Sequence, residues 1–235
     1  MISPRGALAL STCILLVATA GCDSGSGAGP SVSSVARAAA HTVTGPQASG
    51  SGYTLELLDG ASTVDVVATD LGGPLYRVQT AAGSTTLPGA RLVDHTVDVR
   101  LRGGGNGAVR ILLDRGVRWR LRFAAGASTA TVDMADGQLA GLAAVKGIGS
   151  LDVTAGRPAA AVMLSEAAGV STFTLHVPAS SAVTVRARAG AGTVTLFGQA
   201  HRGVAAGATL STQPAAAARY EIDAVGGVGT LSVDG

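Results

Sequence analysis

The sequence predicts an all-β fold, a right-handed β-helix-like solenoid wound from turns of about 21 or 22 residues. Three observations point to it. One glycine-led phrase recurs at that period, apolar and polar residues alternate within it, and no segment carries a convincing helical stripe. The phrase reads glycine, small apolar, Ser or Gly, Ser or Thr, apolar, polar, apolar. Clear copies begin at Gly60, Gly126, Gly147, Gly169, Gly190 and Gly227, with a looser one at Gly105. Weaker echoes at Gly83 and Gly207 fill the gaps. A period of this length marks stacked units, each burying its apolar face against its neighbours. A β-sandwich or roll of hairpins is the alternative, because two strands and two turns occupy the same length. The coil is preferred because identical phrases at identical phase stack in register. About eight or nine turns would make a rod on the order of 40 Å long.

Composition agrees. Aromatic residues are 3% of the 235, and charged residues 14%, so a loosely filled globule would bury little area per residue. The formal charge of +2 is too small to imply nucleic acid as a partner, and no base-reading motif is present.

Residues 1–21 read as a lipoprotein signal peptide. Arg5 supplies a positive start, and Ala7 to Val17 form the apolar stretch of an export signal. Thr19-Ala20-Gly21-Cys22 resembles a bacterial lipobox, although the usual first residue is leucine. The lipobox reading makes Cys22 the diacylglyceryl attachment point and the membrane the first partner. Ala18-Thr19-Ala20 also fits ordinary signal cleavage, which would leave Cys22 a lone thiol. Cys13 is the only other cysteine, so a mature chain holds no internal disulfide and no thiolate metal site. Residues 22–52, rich in Gly, Ser, Ala and Pro, read as a disordered tether of roughly 30 Å reach. No later apolar run is long enough to span a bilayer.

Residues 53–235 form the β-repeat domain. Val97, Val99 and Leu101 alternate with Asp98, Arg100 and Arg102. Val117, Trp119, Leu121 and Phe123 alternate with Arg118, Arg120 and Arg122, which sets Trp119 and Phe123 on the core side. Phe173, Leu175 and Val177 alternate with Thr174 and His176, and Val183 and Val185 with Thr184 and Arg186. Such period-2 runs are half-buried strands. Pro74, Pro88, Pro158, Pro178 and Pro214 fall where turns are expected. Leu139 to Lys146 is the one short helical candidate, weakened by nearby glycines.

The run Trp119-Arg120-Leu121-Arg122-Phe123-Ala124-Ala125-Gly126-Ala127, the Gly147 and Gly190 phrases, and the closing Tyr220-Glu221-Ile222 and Gly226 to Val233 resemble toast-rack and LiaF-type β-repeat domains. The chain is also similar to adhesin-head β-helices. The resemblance implies a bacterial envelope protein linked to the cell-wall-stress response. LiaF-type members usually carry transmembrane helices, whereas this chain has a lipid-type signal. The shared motifs are structural glycines and alternating apolar residues, which specify fold far better than function.

Chemistry is sparse. His41, His95, His176 and His201 lie far apart in sequence, with no metal-ligand spacing. No G-x-S-x-G elbow occurs. Gly147-x-Gly149 and Gly190-x-Gly192 precede strands, where a dinucleotide fingerprint demands a helix. Gly147 to Asp152 is similar to a calcium-binding nonapeptide. The equivalent positions, however, are Asp65, Thr131, Asp152, Thr174, Thr195 and Ser232, a polar ladder for an outer face. Exposed aromatic platforms for sugar are few. No catalytic residue, cofactor or metal is expected.

One cluster suits binding. Arg100, Arg102, Arg118, Arg120 and Arg122, joined by Arg77 and Arg110, would line the polar face of neighbouring strands. Guanidinium groups there suit phosphate or carboxylate. The competing reading is a solvated face paired with Asp98, Asp114 or Asp133. The expected function is a non-enzymatic, membrane-anchored envelope module contacting anionic lipid, wall polymer or an envelope protein. The alternatives are an adhesin-like module associating end to end beyond Val233, and an unrecognised hydrolase of wall polymer.

Overall fold

Glycine at the head of each phrase marks a corner, and the alternating residues after it form a strand. The computed structural model describes residues 40–103, 107–213 and 216–235. The expected signal peptide, Cys22 and most of the expected tether lie outside the described residues.

In chain order the strands begin β1 (His41–Thr44), β2 (Gly52–Leu57), β3 (Ala61–Thr69), β4 (Tyr76–Thr80), β5 (Leu87–Val93) and β6 (Thr96–Arg102). Next come β7 (Ala108–Asp114), β8 (Arg118–Phe123), β9 (Ala127–Met134), β10 (Gln138–Ala144), β11 (Ile148–Ala155) and β12 (Ala161–Glu166). The last are β13 (Val170–His176), β14 (Val183–Ala187), β15 (Ala191–Leu196), β16 (Gln199–Val204), β17 (Ala208–Ser211), β18 (Arg219–Ala224) and β19 (Val228–Asp234).

They build two sheets. The first has the order β1-β4-β7-β3-β9-β11-β13-β19-β15-β16, and the second β17-β14-β18-β12-β10-β8-β2-β6-β5. Seven two-strand coils result, each passing from the second sheet into the first: β6/β7, β2/β3, β8/β9, β10/β11, β12/β13, β18/β19 and β14/β15. All pairings between coils are parallel. The fold is all-β and β-helix-like, as the phrase predicts.

Stacking order departs from chain order at both ends. The first coil, β2/β3, lies between β6/β7 and β8/β9; the last, β18/β19, lies between β12/β13 and β14/β15. The Gly83 and Gly207 echoes also prove to be corners, but of units running backwards. Between β4 and β5, and between β16 and β17, the chain passes from the first sheet to the second. These strands pair antiparallel with the outermost coils and cap the stack. Both glycines adopt left-handed φ, 75° and 82°. Val233 therefore sits in an interior strand, not at an open edge.

The core consists of continuous apolar rows. Val109, Val64, Ala130, Leu151, Phe173, Leu231 and Val194 are laterally paired across the first sheet, and all are buried. Val97, Leu55, Leu121, Leu142, Leu164, Ile222 and Val185 form the facing row. Fully burying each such aliphatic side chain contributes about 1.5–3 kcal/mol. Trp119 and Phe123 lie on the core side as expected, and the Trp119 indole N–H donates to the Asp114 carbonyl at 2.9 Å.

Three local expectations change. Leu139 to Lys146 is mostly strand β10, because Leu139, Leu142 and Ala144 face the core between β8 and β12. Pro88 lies within β5 rather than in a turn, and an edge strand tolerates it because its outer side needs no N–H. Residues 41–52, assigned to the tether, contain β1 and the first residue of β2; β1 pairs with β4, and the His41 ring contacts the Ser84 carbonyl at 3.2 Å. No helix among the described residues is long and apolar enough to cross a membrane.

Candidate anion-binding face

Register decides which arginines share a surface. On the outer face of the second sheet, Gly52 lies beside Arg118, Thr54 beside Arg120, and Glu56 beside Arg122. The next strand brings Thr96 beside Thr54 and Asp98 beside Glu56. Arg100 and Arg102 follow Asp98 on β6, near the opposite end of the strands from Arg118. The five arginines thus share a sheet but not a site.

Pairing divides them further. Arg122 Nε donates to Glu56 Oε1 at 2.9 Å. Arg100 Nη1 lies 3.9 Å from Asp59, whose other oxygen accepts the Leu101 N–H at 3.0 Å. Asp98, Asp114 and Asp133 form no ion pair among the described residues; Asp114 and Asp133 instead accept from the backbone N–H of Gly116 and Ala135 in turns. Arg77 and Arg110 belong to the other sheet, where Arg110 lies 3.3 Å from Asp65. The reason is the coil itself: each corner sends the following strand into the opposite sheet, so Arg110 on β7 leaves the face that holds Arg100 and Arg102 on β6.

Arg118 and Arg120 form no ion pair among the described residues and are exposed. They line a groove of about 360 Å³ with Gly52, Thr54, Asp94, His95, Thr96, Ala140 and Ala161. Beside it, β10 slips register between Leu139 and Gly141. Gly141 is tightly placed, since a Cβ there would approach the Met163 carbonyl to 3.1 Å. The far wall is the tight β5–β6 turn, where Asp94 and His95 adopt φ of 43° and 63°. Both angles lie in the left-handed region that costs non-glycine residues energy. The His95 ring packs on Tyr53, with centroids 4.9 Å apart. Arg100 and Arg102 line a separate groove with Pro88, Arg91 and Asp98.

The polar ladder lies on the first sheet's outer face. Arg110, Asp65, Thr131, Asp152, Thr174, Ser232 and Thr195 stand side by side across seven strands. One row along, His176 lies between two carboxylates, in contact with Asp234 through Nδ1 and 3.4 Å from Asp152 through Nε2. His201 is exposed on β16. No three metal-ligating side chains among the described residues converge on one point.

Glu166 is the group that sequence reading passes over. It is 1% exposed and faces inward, level with Ala144 and Ala224. Its carboxylate accepts the backbone N–H of Gly169 at 2.7 Å and of Gly226 at 3.0 Å. Burial pushes its pKa up; the N–H donors partly offset this, and Asp223 adds to the rise. The signal was present in the sequence, because Glu166 continues the inward alternation of Val162 and Leu164. Its task is to hold two corners together.

No family model matches the chain, and no curated protein matches it. A protein from Parabacteroides merdae, provisionally named an adhesin, aligns over 85% of this chain and 78% of its own at 10% identity, with a TM-score of 0.26. A protein from Clostridium sporogenes, provisionally named a cell adhesion protein, covers 83% of this chain and 99% of its own at 13% identity, with a TM-score of 0.57. This chain is similar in fold to the clostridial protein.

Proposed function

We propose that this protein is a non-enzymatic, adhesin-like interaction module, exported and held at the extracytoplasmic face of the membrane through a diacylglyceryl group on Cys22. The observation that carries the reading is the likeness in fold to the clostridial protein, whose name assigns it to cell adhesion. The repeated architecture fits the role. Seven coils in register present two wide, ladder-like faces, and the capped ends discourage growth of either sheet. The lipobox-like Thr19-Ala20-Gly21-Cys22 supplies the anchor. A link to cell-wall stress rests on the resemblance to toast-rack and LiaF-type domains alone.

Two measurements test this. Metabolic labelling with a fatty-acid analogue should mark the wild type and not Cys22→Ala. The purified repeat region, residues 40–235, should be retained on envelope preparations from cells. Absence of retention removes the interaction reading, and equal labelling of both chains removes the anchor.

A further inference from the structure

Building on the envelope-facing reading above, we propose that the Arg118–Arg120 groove binds a linear phosphodiester polymer of short polyol units, one phosphate to each guanidinium. Arg118 and Arg120 alternate on one strand, so their α-carbons lie about 7 Å apart. A phosphodiester chain with a three-carbon spacer, extended, repeats its charge on the same scale. The floor of the groove is made of small residues, Gly52, Ala140 and Ala161, which let a thin chain approach the sheet. Thr54 and Thr96 supply hydroxyl donors beside Arg120, and His95 supplies a ring nitrogen from the opposite wall. Asp94 also lines that wall and directs an anion toward the arginine side.

Charge placement favours a thin polymer over a bilayer. Arg122 and Arg100 are occupied by Glu56 and Asp59, and Asp98 adds negative charge between them. Within the groove the unpaired positive charge is a narrow strip. Arg91 and Arg102, also without an ion pair among the described residues, lie beyond Glu56, Asp98 and Asp59, and a membrane plane would meet those carboxylates as well. Tyr53 also lines the groove but is buried, and no Trp, Tyr or Phe ring is exposed there as a platform for stacking sugar rings. This disfavours a uronic-acid polysaccharide. Each guanidinium can offer two parallel N–H donors to one phosphate.

The test is binding of the 40–235 fragment to poly(glycerol phosphate), with a polyuronate of similar length and phosphatidylglycerol vesicles as comparison arms. The wild type should bind poly(glycerol phosphate) in preference to both. The double variant Arg118→Ser, Arg120→Ser should weaken that binding on the order of tenfold or more. A charge-matched control on the other sheet, Arg110→Ser with Arg202→Ser, should bind as wild type does. Circular dichroism and unfolding midpoints establish that each variant folds. Equal binding by the double variant overturns the groove, and tighter binding to vesicles or polyuronate overturns the ligand. Equal poly(glycerol phosphate) binding by wild type and double variant, with both retained on whole envelopes, would sink this site while sparing the broader reading. Loss of wild-type retention on envelopes, with poly(glycerol phosphate) binding intact, would do the reverse.

Discussion

The buried Glu166 carboxylate accepts a hydrogen bond from the backbone N–H of Gly226 at 3.0 Å and so ties β12/β13 to the last coil. Its second oxygen accepts from Gly169 in its own corner. On the other side of that coil, Arg188 makes a two-point contact with Asp223, at 2.5 and 2.7 Å. The intercalated C-terminal coil is held from both neighbours.

Glu166→Gln keeps the shape but turns an NH₂ group toward a backbone donor. Loss of stability of about 1–3 kcal/mol is expected in chemical denaturation. The pH dependence has a definite sign. Because burial raises the Glu166 pKa in the folded state, its ionised form carries a penalty that is relieved as pH falls through the raised value toward the ordinary carboxylate range. Acidification should therefore favour the wild type relative to the Gln variant. A stability difference constant with pH would contradict the assignment.

Asp223 should behave in the opposite way. The hydrogen bond from Arg188 holds its pKa below the usual carboxylate range. The stability from that contact is present above the ordinary Asp pKa and is lost as pH falls through the depressed value. Asp223→Asn should remove this dependence, as read from unfolding midpoints over an acid series.

Val194 and Thr195 are adjacent on β15 and point to opposite faces, Val194 fully buried. Val194→Asp should cost several kcal/mol, because an unpaired carboxylate would enter the core. Thr195→Asp should change stability by less than about 0.5 kcal/mol, as a surface change. Thermal unfolding of the two variants reads the strand's facing directly.

Tyr220 is buried, and its hydroxyl donates to the Gly156 carbonyl at 2.5 Å. Burial pushes its pKa up to about 12. The unfolded chain releases this proton near the ordinary value of about 10. The contribution is thus complete below that pH and is lost as pH rises through the folded value. Burial also raises the pKa of Tyr76, so spectrophotometric titration should show late-ionising phenols, of which the Tyr220 contribution disappears in Tyr220→Phe.

The β16–β17 unit covers the edges of β15 and β14. Replacing residues 199–211 with a short flexible linker would expose two strand edges to other chains. The wild-type fragment is expected to run as a monomer and the deletion to associate, as judged by light scattering.

Much of this was legible in the chain. Period-2 alternation placed Trp119 and Phe123 inward, because side chains on a strand must alternate. The corner glycines were equally plain, since Gly169, Gly190 and Gly227 take φ of 88°, 91° and 87°, where a side chain would be strained. Local rules of this kind depend only on neighbouring residues. Tertiary structure alone decided the order in which coils stack, since near-identical phrases fit one another equally well and the reversed cap units determine which coil is outermost. It alone set Glu56 beside Arg122 and left Arg118 and Arg120 unpaired among the described residues. Such partners lie dozens of residues apart along the chain, and lateral register between strands, a property of the whole stack, brings them together.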